Sequence, residues 1–182
     1  MQEGTSVVWR WSFIWKKGLQ WQSICEYCGY KDTAASTTDI ITFGGNSVSE
    51  DVNGLAFRFD VDVDGMTVKK GTTTADYSNA TVTINGAVYQ LLTMGAIATS
   101  SNIETLDKAA FNGENVIDIA AVYLFSHDED SVTYAVRVIN IPELGKDTTV
   151  RVCAYYVVLI DGVETVIYDD QVYEQTYNGA LA

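Results

Sequence analysis

Apolar and polar residues alternate along most of this chain, and helical spacing is nearly absent. Val7, Trp9, Trp11, Phe13 and Trp15 alternate with Val8, Arg10, Ser12 and Ile14. Lys17-Gly18 then marks a turn, and Leu19, Trp21, Ser23 and Cys25 alternate back, which predicts a first β-hairpin. The small polar run 33–38 reads as a connector, and the main body begins at Ile40. Further on, Leu55, Phe57, Phe59, Val61 and Val63 point one way while Arg58, Asp60 and Asp62 point the other. That is a half-buried strand with one wet face.

Turn signals divide the rest. Asp64-Gly65 leads into 66–70, and Asn85-Gly86 joins the Val82/Ile84 strand to a long apolar strand over 87–99. The runs 116–125 and 132–141 are expected to pair around the polar tip 126–130. A long strand, an Asp161-Gly162 turn and a shorter returning strand close the body. One short helix is expected near 102–111, where Ile103, Leu106, Ala110 and Phe111 fall at helical spacing. About ten strands without a βαβ pattern predict an all-β, antiparallel β-sandwich with an N-terminal Trp-rich hairpin. The expected division is a hairpin unit over 1–36 and a sandwich over 37–182.

Size and composition fit this picture. A chain of 182 residues can bury a core without a metal or disulfide. Its 47% hydrophobic and 12% aromatic content argues against general disorder. The net charge is −13, but residues 1–33 carry four Lys/Arg and three acids. The acidity therefore belongs to the body, which phosphate backbones would repel, so nucleic acid is not an expected partner. No run approaches the roughly 20 apolar residues of a membrane helix, so membrane insertion is not expected. The first residues lack the basic and apolar regions of a secretion signal. A cytoplasmic origin and a mature fragment with an added Met both stay open.

The runs Gly54-Leu-Ala-Phe-Arg-Phe, Tyr89-Gln-Leu-Leu-Thr-Met-Gly-Ala-Ile-Ala, Thr133-Tyr-Ala-Val-Arg-Val-Ile-Asn-Ile-Pro and Val152-Cys-Ala-Tyr-Tyr occur in that order. Together they resemble an Ig-like β-sandwich module of large surface proteins of gut Firmicutes. Trp9-Arg-Trp with Cys25-Glu-Tyr-Cys28-Gly is similar to a hairpin found in such proteins. The resemblance spans about residues 54–177, with gaps, and rests mainly on packing and turn residues. Cys153 stands where the family usually has Arg, so no role of that Arg transfers. The resemblance implies extracellular display. Phages of the same hosts borrow such modules, which implies a virion surface by analogy alone.

Four pieces of candidate chemistry follow. Cys25 and Cys28 have the spacing of half a zinc knuckle, and a closed site would need Cys153 and His127. A Cys25–Cys28 disulfide or free thiols are the alternatives. Asp60, Asp62 and Asp64-Gly65 resemble the start of a calcium loop, but the position for its bidentate acid is Gly71. The acidic tip at Asp128 and Asp130 offers oxygens to a surface cation. Trp9, Trp11, Trp15 and Trp21 offer either interface anchors or a sugar-stacking platform. Ser126, His127 and Asp128 are adjacent, and adjacency does not build a catalytic triad. The expectation is a non-enzymatic structural or display protein with no required cofactor, zinc or calcium staying open. An exposed phage virion component such as a capsid decoration comes first, with other virion or surface proteins as partners, as a homo-oligomer or bound to a lattice. An adhesive or glycan-binding module of a bacterial cell-surface protein is the alternative. The expected location is the virion surface or the cell exterior.

Overall fold

The computed structural model describes residues 11–13, 21–25, 31–34, 40–101, 116–128 and 130–182, with backbone alone before residue 40. The chain divides into two compact units, Met1–Ser36 and Thr37–Ala182. In the first, β1 (Trp11–Phe13), β2 (Trp21–Cys25) and β3 (Lys31–Ala34) form an antiparallel sheet in that order. Two of its strands are the expected hairpin, with Trp11 opposite Cys25. The third corrects the reading of 33–38 as a connector from its first residue, because Thr33 and Ala34 pair with Gln22 and Trp21. Thr suits a strand, and the free edge of β2 offers the backbone groups that its amides need.

In the second unit, β4 (Ile41–Ser49), β5 (Gly54–Asp62), β11 (Leu124–His127) and β12 (Ser131–Val138) form a four-stranded antiparallel sheet. Its order is β11-β12-β5-β4. The alternation read from the sequence holds in β5, since Leu55, Phe57, Phe59 and Val61 are buried and Arg58 and Asp62 are exposed. Across from them, Val132, Tyr134 and Val136 of β12 complete an apolar inner face. Both edge strands carry a bulge, between Phe43 and Gly45 in β4 and between Leu124 and Ser126 in β11. A bulge bends an edge away from further pairing.

The larger sheet is built on two long strands, β9 (Ala87–Thr99) and β13 (Val150–Ile160), paired from Arg151↔Thr99 to Leu159↔Gln90. Each has its other edge shared by two short strands. β8 (Thr81–Ile84) and β10 (Val116–Ala120) flank β9. β14 (Val163–Tyr168) and β15 (Tyr173–Gln175) flank β13. A small hairpin, β6 (Thr67–Val68) with β7 (Ala75–Asp76), is tied to the chain before β11 by the Ala75 amide, which donates to the Val122 carbonyl at 2.9 Å.

One detail of the sequence reading changes here. The run 116–125 is not one strand paired to 132–141. Its first part, β10, pairs β9 in the larger sheet, and only Leu124–His127 pairs β12. The chain changes sheets through residues 121–123, where the Ala121 amide donates to the Met94 carbonyl at 2.8 Å. Periodicity reports an apolar face, not which neighbour receives the backbone bonds, so the break was invisible. The helix expected near 102–111 lies outside the described residues.

The inner faces meet around large side chains. Tyr134 reaches across from the smaller sheet and donates from its hydroxyl to the Gly95 carbonyl at 2.9 Å. β13 is buried on both faces: Ala154, Tyr156 and Val158 look inward, while Cys153, Tyr155 and Val157 join Ile97 and Val116 in a second buried cluster. At Gly95 a Cβ would stand 2.6 Å from the Ile119 carbonyl oxygen and 2.7 Å from the Tyr155 hydroxyl, so no larger residue fits without movement. The result is an all-β, sandwich-like unit of antiparallel sheets. Among the described residues, no helix is long and apolar enough to cross a membrane.

Candidate functional site

The most unusual chemistry lies where β14 ends and β15 begins. Thr165, Ile167 and Asp169 form one buried stripe by strand alternation, so Asp169 enters the interior at 6% exposure. Its amide donates to the Ala154 carbonyl at 2.8 Å, which fixes the backbone as the last rung beside β13. The carboxylate accepts from the Gln171 amide and from the Tyr173 hydroxyl, both at 3.1 Å. Among the described residues no Lys or Arg bonds to it. Burial, with Asp170 beside it, pushes the Asp169 carboxyl up to about 6, against the lowering effect of its two donors.

Tyr173 ties this carboxylate to the opposite sheet. Its backbone pairs with Val152 of β13. Its ring stacks on Phe43 of β4 at 4.3 Å between centroids, inclined by 18°, and meets Phe59 edge-on at 5.7 Å. Such aromatic geometry adds to simple area burial. Cys153 lies beside the same junction, with its Sγ 3.5 Å from the Asp169 carbonyl oxygen. Burial raises the phenols of Tyr134 and Tyr173 above their ordinary range, so both stay protonated donors.

Two neighbouring tyrosines on β13 contrast. Tyr155 donates to Asp118 Oδ1 at 2.6 Å, and burial raises its phenol. Tyr156, fully buried on the other face, has a hydroxyl with no hydrogen-bond partner among the described residues. An unmet buried hydroxyl costs on the order of 1–3 kcal/mol.

A different kind of feature occupies the edge at β11. Val122, Tyr123 and Phe125 are 47%, 66% and 76% exposed. The bulge between Leu124 and Ser126 keeps Leu124 inside and leaves Phe125 outside the ladder. This edge adjoins the acidic tip. There Asp128 Oδ1 accepts from the Asp130 amide, the Ser131 amide and the Ser131 hydroxyl, and the Ser131 hydroxyl leads in holding the carboxyl below its usual value. Asp128 thus braces its own loop.

The other expected site residues scatter. Trp11 lies in β1, and Trp21 and Cys25 lie in β2, while Trp9, Trp15 and Cys28 fall outside the described residues. His127 is exposed on the smaller sheet and Cys153 is buried in the larger one. Asp60 accepts from the Thr133 hydroxyl on the wet face of the smaller sheet. Among the described residues, no group of three or more His, Cys, Asp or Glu side chains is arranged to hold a metal ion.

The sequence reading missed Asp169 and Tyr173. The available signal was parity: counting by twos from Thr165 places Asp169 inward. Two adjacent aspartates after a strand carry no local sign of burial. No protein-family model matches the chain, and neither a curated protein nor a solved structure matches it.

Proposed function

We propose that this chain is a non-enzymatic structural or display protein, and most specifically an exposed component of a phage virion, such as a capsid decoration. The carrying observation is the exposed side-chain surface of Val122 and Tyr123, whose backbone is already paired with residues 73–75, and of Phe125 at the bulge in β11. Exposed aromatics in such a place favour docking through side chains over strand addition. The acidic body supports this reading, since net charge far from zero keeps unassembled copies apart in solution. The likeness of residues 54–177 to Ig-like surface modules supports it further.

Peptide mass spectrometry of purified phage particles tests the proposal. Stoichiometric peptides of this chain are expected, and particles that lack them would overturn it. An adhesive or glycan-binding module is the second reading, favoured by the 66% exposed Tyr123 ring as a stacking face for a sugar. A glycan panel that binds the wild type but not Tyr123→Ala would select that reading, and a flat panel would remove it.

A further inference from the structure

We propose that the C-terminal arm, residues 169–182, is a clasp that tightens on acidification and loosens as pH rises, with the Asp169 carboxyl as its proton switch. The arm has fewer backbone pairings than β14, and beyond β15 it is anchored by the buried Tyr177 and by the Asn178 amide, which donates to the Lys146 carbonyl at 3.1 Å. β15 contributes three register pairs to β13, and residues 170–172 are exposed. Beyond β15, Asn178 donates to Asp147 Oδ1 at 2.8 Å and Lys146 sits 4.7 Å above the Tyr177 ring. Elements with few backbone bonds and exposed linkers open at lower free energy than the sheet they pack on.

At the root of this arm stands a carboxyl that is 6% exposed with the arm in place. Among the described residues, the groups facing it are polar but hold no positive charge. Tyr173 comes from β15, Tyr134 from β12, Cys153 from β13 and Asp170 from the linker. From β4 and β5 the neighbours of the Tyr173 ring are Phe43 and Phe59. Arg151 of β13 is turned to Glu174, to which it is bridged at 2.7 Å. Closing the arm on an ionised Asp169 therefore strips water from a charge and returns two hydrogen bonds, whereas closing it on the neutral acid avoids that cost.

The direction follows from linkage. The closed-state carboxyl titrates near 6, above the ordinary carboxylate value of an open arm. The extra stability of the closed state is complete below the open-arm value and is lost as pH rises through about 6. Between pH 5 and 7.5 the opening equilibrium of the arm should shift about tenfold toward open. Opening uncovers the Phe43 ring and the backbone edge of Val150–Val152.

Hydrogen–deuterium exchange of the full chain, corrected for intrinsic exchange rates, tests this between pH 5 and 8. Protection of the amides over 171–178 is expected to fall about tenfold from pH 5 to 7.5, with β9 and the β13–β14 pairing unchanged. Asp169→Asn, which removes the charge and keeps one of the two accepting oxygens, should flatten the pH dependence of the arm's protection whatever its absolute level. Protection independent of pH, the same slope in Asp169→Asn, or an equal change throughout the sandwich would overturn the clasp. A carboxyl-carbon NMR titration of the wild type gives an independent check. An Asp169 inflection near 4 would overturn it too.

Discussion

One edge of β13 receives two strands, and they are attached in different ways. β14 pairs with Tyr155–Ile160 through six positions, while β15 pairs with Val150–Val152 through three. β14 arrives directly through Asp161 and Gly162, both at positive φ, 51° and 79°, the backbone that a two-residue hairpin demands. β15 arrives after a four-residue link and turns an aspartate into the interior. The first pairing is written into adjacent residues and closes a minimal loop. The second depends on partners distant in sequence, with Tyr173 lying on Phe43. Strand pairing can thus be set by a turn or by what the strand carries to the opposite sheet, and the second way leaves room for regulation.

The sharpest break of this comparison lies at Ile167, 2% exposed and opposite Tyr156. Ile167→Ala should cost about 3 kcal/mol and lower the melting temperature of the whole unit. A loss below 1 kcal/mol by denaturant titration would show that the β14 half is no better anchored than the arm. Tyr173→Ala should cost about 2 kcal/mol, through the lost ring stack and the lost donor to Asp169. Exchange measurements should place that loss in the arm, and equal deprotection of β14 would erase the distinction between the halves.

Gly162→Ala tests the turn itself. A Cβ meets nothing there within 4 Å, so the cost is conformational, about 1.5 kcal/mol for an L-residue held at positive φ. A neutral result in thermal melts would mean that the turn does not hold the hairpin. The smallest expected effect has the opposite sign. Tyr156→Phe removes the unpartnered hydroxyl and should stabilise by about 1 kcal/mol. A destabilised variant would mean that this hydroxyl is satisfied in solution and that the β14 half carries no such penalty.

Much of the fold was legible because alternation and turn chemistry are local. The inward set of β5, the Asn85-Gly86 turn, the length of β9 and the β13–β14 hairpin all follow from neighbouring residues. The break of 116–125 between two sheets was not legible, because both halves show an apolar face and differ only in their backbone partners. The candidate site was the least legible part. Asp128 and Asp130 drew notice because acids cluster in sequence there, yet Asp128 spends its carboxylate on its own loop. Asp169 drew none, since burial alone gives it its chemistry.

By itself, then, the sequence determined that this chain is all-β, where its longer strands run and which of their faces are apolar. These properties come from steric preferences and from alternation with a period of two, which act over a few residues. The tertiary structure alone decided that β14 and β15 share one strand edge, that Tyr173 bridges two sheets and that Asp169 loses its water. Each of these depends on groups brought together from separate parts of the chain, and the ionisation of a carboxyl is set by what surrounds it in space.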